Sequence, residues 1–347
     1  MSAPMYSPPT VSRDVDLDLS RNEGRPTARD LVGSVSDPSD LIRRYPNTSA
    51  LQDRLAELHG VASDQVLVTA GGDDALFRCF LARLGPGRTA VSTTPTFQMI
   101  PVYAGQVGAR LIEIGWRSGP FPVADVAVSA SGAEVVFVVS PNNPTGAVIT
   151  ENDLRELSSA AELVVLDAAY GEFANEDVTP IALELGNVVV IRTLSKAYGL
   201  AGLRVGYLLG SPDLVAEMSR FGSPYAVSTL STAIALERLD RIEDVTAYVS
   251  EVRGERSDLA DLLDDLGVES LPSQGNFVLA EVPDAARVTA ACESLGVGIR
   301  YFPDRAGLEN SVRITVPGDL AAYARLARTL RTVLAPDHTT DLKELLP

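Results

Sequence analysis

The residues best suited to chemistry lie in the run Thr193-Leu-Ser195-Lys196-Ala-Tyr-Gly-Leu-Ala-Gly-Leu-Arg204. A single lysine follows an apolar stretch, sits among small hydroxyl residues, and precedes a glycine-rich segment ending in an arginine eight positions on. Partial withdrawal of an amine from water favours its neutral, nucleophilic form, which condenses with carbonyl compounds. The hydroxyls and the guanidinium suit a phosphate dianion, which arginine grips through paired charge-assisted hydrogen bonds. Taken alone, the same segment also reads as a surface lysine beside a structural arginine.

Two further segments narrow that choice. Ser140-Pro-Asn-Asn143-Pro-Thr-Gly146 follows an apolar run ending at Val139, at the strand edge where open α/β sheets place ligands. Its turn formers fix a rigid loop, and its amides can donate to a ligand oxygen. Leu163-Val-Val-Leu-Asp167-Ala-Ala-Tyr170 sets a carboxylate just past another apolar run and a phenol three residues later. A carboxylate there needs a cationic partner, because burying it unpaired is costly. Upstream, Thr69-Ala-Gly71-Gly72-Asp73-Asp74 falls between a predicted strand and a predicted helix, where the N–H groups of a helix start hold anions.

The elements that must position these residues alternate along the chain. Short runs at 65–68, 89–92, 110–114, 135–139, 163–166 and 188–191 read as strands, several apolar without alternation, as strands covered on both faces are. Helical stretches at 73–84 and 150–161 lie between some of them, which predicts crossover units and a mainly parallel sheet. A helix from Ser49 is predicted with a Ser49/Gln52 capping box, Leu51, Leu55 and Leu58 on one face, and Gly60 as its stop. Beyond Ser211-Pro212 the helical periods lengthen, with strands predicted at 276–282 and 311–316 and helices at 284–295 and 319–334, a smaller α+β unit.

Composition sets the outer limits. With 347 residues, 46% of them hydrophobic and 22% charged, the chain is long enough for two domains and too apolar for disorder. A formal charge of −17 opposes nucleic acid and anionic membrane as general partners, while a local arginine cluster can still hold a small phosphate. Cys79 and Cys292 fit no metal-ligand spacing and are expected to be buried thiols, so neither a disulfide framework nor a metal site is predicted. The amino-terminal run shows no signal-peptide pattern and no window approaches ~18 apolar residues, so a soluble cytoplasmic protein is expected. His59 and His338 match no catalytic pattern and are expected at the surface.

Asn-Pro-Thr-Gly, Asp-x-x-Tyr and Ser-Lys followed by the distant arginine occur in an order that resembles the fold-type-I, pyridoxal-phosphate-dependent aminotransferases of classes I and II. Within that family the chain resembles the histidinol-phosphate aminotransferase branch, from about Asp18 to Val316. The resemblance implies a three-layer α/β/α cofactor domain with a mainly parallel sheet over residues 43–240. It also implies a small α+β domain over 241–347 and an amino-terminal segment, 1–42, packed against the latter. By the same resemblance Lys196 joins the cofactor covalently and later moves the proton, Asp167 pairs with the pyridine nitrogen, and Asn143 and Tyr170 bond the ring's phenolic oxygen. Arg204, Thr193 and Ser195 form the phosphate clamp, with Gly71, Gly72 and Asp73 as the phosphate-binding turn. Phe97 matches the stacking aromatic, where the branch often has tyrosine. Tyr45 of Arg-Tyr-Pro matches a tyrosine that reaches the neighbouring subunit's cofactor phosphate, which implies a homodimer with shared sites.

For the substrate, the resemblance assigns Arg313 and Arg300 to the anionic group and Asn22, in Asn-Glu-Gly-Arg-Pro, to a segment covering the pocket. There Gly24 replaces the second Asn of the branch, and Arg25 adds a charge expected to face the pocket. Ile100 stands where the branch often has tyrosine, Ala226 where the family usually has asparagine, and Asp167-Ala-Ala lacks the usual glutamate. The implied reaction is amino transfer between histidinol phosphate and 2-oxoglutarate. The alternatives are an aromatic or other amino-acid aminotransferase, a phospho-amino-acid decarboxylase of the same fold, and a non-catalytic pyridoxal-phosphate-binding protein.

Overall fold

The computed structural model describes residues 11–33 and 38–335. His338 and the Pro-rich start of the amino-terminal segment lie outside the described residues. In chain order the strands are β1 (Leu17–Asp18), β2 (Val66–Thr69), β3 (Thr89–Thr94), β4 (Arg110–Gly115), β5 (Val135–Val139) and β6 (Val164–Asp167). They continue with β7 (Val188–Thr193), β8 (Gly206–Leu209), β9 (Phe277–Glu281), β10 (Val297–Gly298), β11 (Arg300–Tyr301) and β12 (Ser311–Thr315).

Strands β2 to β8 form one sheet in the order β2-β8-β7-β6-β5-β3-β4. Only β8 is reversed, antiparallel to both β7 and β2, so the sheet is mainly parallel. Every residue of β5, β6 and β7 is buried. Their apolar runs lack alternation because both faces are covered: Val136, Val138, Val164, Leu166 and Val190 join one core, and Phe137, Val165 and Ile191 join the other. Helix Gly71–Arg83 packs on the second face, its Ala75, Leu76, Cys79 and Phe80 buried there. This is the predicted three-layer α/β/α architecture. β8, which periodicity does not reveal, has only four residues and fills the gap between β2 and β7.

A second, antiparallel sheet runs β11-β12-β9 and places Arg300 directly opposite Arg313. The amino-terminal segment reaches this region through β1, which pairs in parallel with β10. The expected helix near residue 49 forms as Ser49–His59, with Leu51 and Leu55 fully buried and Gly60 closing it in the left-handed region. Its expected capping box does not form. The Ser49 N–H donates to Asn47 Oδ1 instead, and Gln52 Nε2 donates to the Ser63 carbonyl.

His59 is the second correction, for it is half-buried rather than at the surface. Its Nε2 lies 2.9 Å from the Tyr207 hydroxyl, and burial, assisted by the charge of Arg192, pushes its pKa down to about 4. Cys79 and Cys292 are buried free thiols.

One glycine fixes how the lysine segment meets the turn expected to bind phosphate. A Cβ on Gly206 would lie 2.4 Å from the Gly71 carbonyl carbon and 2.6 Å from the Gly72 nitrogen, so β8 approaches the start of helix Gly71–Arg83 backbone to backbone. Gly206→Ala is therefore expected to cost about 1–3 kcal/mol and to weaken cofactor retention. Thermal melting with and without pyridoxal phosphate checks this, and an unchanged melting temperature and retention would refute it.

Candidate active site

Three strand ends converge on one cavity of about 550 Å³, within the range of roughly 300–1,000 Å³ usual for small-molecule sites. Asn143 follows β5, Asp167 ends β6, and Lys196 follows β7; all three line the cavity. The convergence follows from topology, since parallel neighbours present their carboxyl ends on the same edge.

At one end, Thr193, Ser195, Gly72, Asp73 and Arg204 form the wall. The Thr193 hydroxyl donates to Ser195 Oγ at 2.9 Å and accepts from the Ser195 N–H at 3.2 Å, which fixes both hydroxyls. Gly72 and Asp73 lie in the first turn of helix Gly71–Arg83, so free N–H groups and the helix dipole favour an anion there. Arg204 Nη2 donates to Asp73 Oδ2 at 3.2 Å, an ion pair half open to solvent and easily exchanged for a stronger anion.

Asp167 is 8% exposed, and its Oδ1 accepts the Ala169 N–H at 3.1 Å. Burial pushes its carboxyl up to about 7; the Ala169 hydrogen bond and the charge of Lys196 offset only part of this. Among the described residues no cation is bonded to this buried acid, a deficit that a protonated ring nitrogen would remove.

Lys196 Nζ donates to the Arg21 carbonyl at 3.1 Å and stands 5.7 Å from the Tyr170 ring centroid. The amino-terminal segment packs tightly on the lysine backbone: a Cβ on Gly24 would come within 2.3 Å of the Lys196 carbonyl oxygen. Glycine at position 24 thus has a steric reason in this chain.

Asn143 is oriented by its neighbour. Arg313 Nη1 donates to Asn143 Oδ1 at 2.6 Å, and since a guanidinium has only donors, the amide NH₂ must face the Tyr170 hydroxyl, 3.5 Å away. Arg313 is 6% exposed, and its Nη2 also donates to the Ser20 carbonyl at 2.8 Å. Arg300 and Phe302 line the same wall.

The remaining expected residues fall as follows. Phe97 lines the cavity. Asn22 is fully buried behind Tyr170 rather than on the cavity wall; its Nδ2 donates to the Tyr170 hydroxyl at 3.0 Å, and its Oδ1 lies 2.7 Å from Thr315 Oγ1. Arg25 turns away from the cavity, where a charge facing it was expected, because its Nη1 binds Glu251 Oε2 at 2.5 Å and its guanidinium lies over the Tyr248 ring. Tyr45 is 81% exposed and stacks on Tyr225 at 4.7 Å, next to Ala226.

Several cavity residues escape sequence reasoning, Tyr103 and Phe302 among them. Tyr103 follows Met99, also a cavity residue, by one helical turn, and Phe302 stands two residues after Arg300, just past the end of β11, so each carries a periodic signal. Among the described residues no cluster of His, Cys, Asp or Glu is arranged to hold a metal ion.

Residues 34–330 match the family Aminotransferase class I and II. The chain belongs to the class I and II aminotransferases. Curated relatives of this aminotransferase include histidinol-phosphate aminotransferase 1 of Trichormus variabilis, 32% identical over 95% of each chain. The histidinol-phosphate aminotransferase of Halorubrum lacusprofundi is 37% identical over 92% of each. Among solved structures, the histidinol-phosphate aminotransferase of Sinorhizobium meliloti in complex with pyridoxal-5'-phosphate superposes with a TM-score of 0.83 at 23% identity, covering 92% of this chain and 91% of that one. The L-threonine-O-3-phosphate decarboxylase of Porphyromonas gingivalis gives 0.78 at 24% identity, covering 92% and 99%.

The cofactor of this family, pyridoxal 5'-phosphate, fits the residues present. The cation-deficient Asp167 answers a pyridinium, the hydroxyl and helix-start cradle beside Arg204 answers a phosphate, and the NH₂ of Asn143 answers a phenolic oxygen.

Proposed function

We propose that this aminotransferase exchanges an amino group between histidinol phosphate and 2-oxoglutarate. The reading is carried by Arg300 and Arg313, paired in register across β11 and β12 on the cavity wall, as a phosphate dianion requires. Relatives at 32% and 37% identity bearing the histidinol-phosphate name support it.

Pyridoxal phosphate supplies an electron sink for the charge left when the amino-bearing carbon loses its proton. The chain supplies the rest. Asp167 keeps the ring nitrogen protonated; Thr193, Ser195, Gly72, Asp73 and Arg204 would hold the phosphate; Asn143 and Tyr170 would bond the phenolic oxygen. Lys196 Nζ would hold the cofactor covalently and, with the donor in place, would take the proton from the substrate carbon and return it at the other end of the transfer. Arg313 and Arg300 hold the donor's phosphate, and Arg313 orients Asn143 through the bond described above.

We further read residues 43–240 as the cofactor domain and 241–347 as the small domain, in a cytoplasmic homodimer. The exposed Ile42, Tyr45 and Tyr225 offer apolar surface for a second copy. No helix among the described residues is long and apolar enough to cross a membrane.

A donor panel of histidinol phosphate, phenylalanine, tyrosine and phosphothreonine tests the reading. Histidinol phosphate is expected to change the bound cofactor's absorbance at the lowest concentration and to yield keto product with 2-oxoglutarate. A response to phenylalanine alone would overturn the substrate, and carbon dioxide release without keto acid would overturn transamination.

A further inference from the structure

Three guanidinium groups surround a single buried ring. The Cζ atoms of Arg300, Arg313 and Arg305 lie 5.4, 5.8 and 5.9 Å from the Phe302 ring centroid, and Phe302 is 4% exposed. A ring plane has two sides, so at least two of the cations share one. Each contact with the ring is favourable, yet like charges so close repel, and more strongly where water is partly excluded. An anion entering the cavity beside Arg300 and Arg313 turns that repulsion into attraction.

Arg305 differs from the other two because it stands behind the wall. Its Nη2 donates to the Thr96 carbonyl at 2.6 Å, joining the β11–β12 connection to the turn that carries Phe97. That turn is itself pinned: the Thr96 hydroxyl donates to Asn142 Oδ1, and Asn142 Nδ2 donates to the Pro95 carbonyl, each at 2.8 Å. Burial and then the charge of Arg300 hold the Arg305 guanidinium below the usual arginine range, with Glu113 opposing them. The charges of Arg300 and Arg305 thus act on each other beside the same ring.

We infer that Arg305 is a specificity-determining positioning residue, adding a third positive charge behind Arg300 and Arg313 and so selecting donors with a dianionic phosphate ester over donors with a single carboxylate or a hydroxyl. The inference rests on the reading of Arg300 and Arg313 as the phosphate-binding pair. A charge at second remove from a dianion in a site of intermediate dielectric is worth about tenfold in affinity.

The test compares wild type with Arg305→Gln and Arg305→Lys, using histidinol phosphate and unphosphorylated histidinol as donors and inorganic phosphate as inhibitor. Arg305→Gln is expected to raise the KM for histidinol phosphate and the inhibition constant of phosphate about tenfold, with kcat and the KM for histidinol unchanged within about twofold. Arg305→Lys restores most of the loss because it restores the charge. Arg305→Met, which keeps the aliphatic stem on Phe302, serves the same comparison if the glutamine variant does not fold. An unchanged KM ratio, an equal rise for both donors, or a failure of lysine to rescue would overturn the inference alone. A wild type that does not prefer the phosphorylated donor would overturn the phosphate reading beneath it.

Discussion

Replacing Lys196 with alanine is expected to leave a folded protein whose turnover falls by at least about 10⁴-fold. On the proposed reading two separate functions sit on one Nζ atom, covalent attachment of the cofactor and movement of the substrate proton, and alanine removes both. The structure makes the loss hard to replace. The amine stands 5.7 Å from the Tyr170 ring and bonds the Arg21 carbonyl, and the other basic side chains on the cavity wall are arginines, too basic to act as neutral amines. A guanidinium in place of the lysine amine would keep charge and reach and still supply no free amine, so Lys196→Arg is expected to be as inactive as Lys196→Ala. The checks are turnover, the absorbance band of protein-joined pyridoxal phosphate, and its loss on gel filtration. Melting temperature measured in parallel separates chemistry from folding, because only one half-buried side chain is shortened. Retained turnover with a retained band would remove Lys196 from the mechanism.

Much of this site is legible in the sequence because its residues sit at strand ends, and strands buried on both faces advertise themselves as unbroken apolar runs. The apolar run of β5 marks its bounds to the residue, and those of β6 and β7 come within one or two, which is enough to put Asn143, Asp167 and Lys196 on one sheet edge. β8 is not legible. It is four residues long and paired antiparallel on both sides, which neither a helix crossover nor a turn signal announces. Local motifs also fail where a distant partner competes. Ser49 and Gln52 have capping-box spacing, but the Ser63 carbonyl takes the Gln52 amide. Arg25 has the charge to enter the cavity, but Glu251 and Tyr248 of helix Ile242–Asp265, more than two hundred residues away in sequence, hold it outside. Asn22 belongs to the same class: its left-handed backbone (φ 53°) and burial turn its amide onto Tyr170, which spacing alone does not encode. The burial of His59 is hidden for a related reason, since its partner, Tyr207, lies on the strand that periodicity does not reveal.

Asp167→Asn is expected to separate two effects of one carboxylate with opposite signs. In the cofactor-free protein Asp167 is a cost. Burial pushes its pKa up to about 7 from an unfolded value near 3.8, a rise worth about 4 kcal/mol at neutral pH. A raised folded pKa means that the folded chain holds the proton more tightly than the unfolded one. The stabilising contribution is therefore complete below about pH 4 and is lost as pH rises through about 7. Asparagine has no such proton, so the apoprotein of Asp167→Asn is expected to keep its melting temperature between about pH 5 and pH 8 better than wild type does. With pyridoxal phosphate bound the sign reverses. On the proposed reading the charged carboxylate would then face a protonated ring nitrogen, and pairing of this kind would keep the ring an effective electron sink. Removing the carboxylate that on the proposed reading faces the ring nitrogen is expected to lower kcat by about 10³, an electrostatic effect of the size seen when one such stabilising group is removed, while the cofactor still binds through Lys196 and the Arg204 cradle. Melting curves of the apoprotein across pH and turnover of the loaded enzyme read the two effects independently. A variant apoprotein with the wild-type pH slope would show that Asp167 is not the buried acid responsible, and a variant with near-normal kcat would show that it does not face the ring nitrogen.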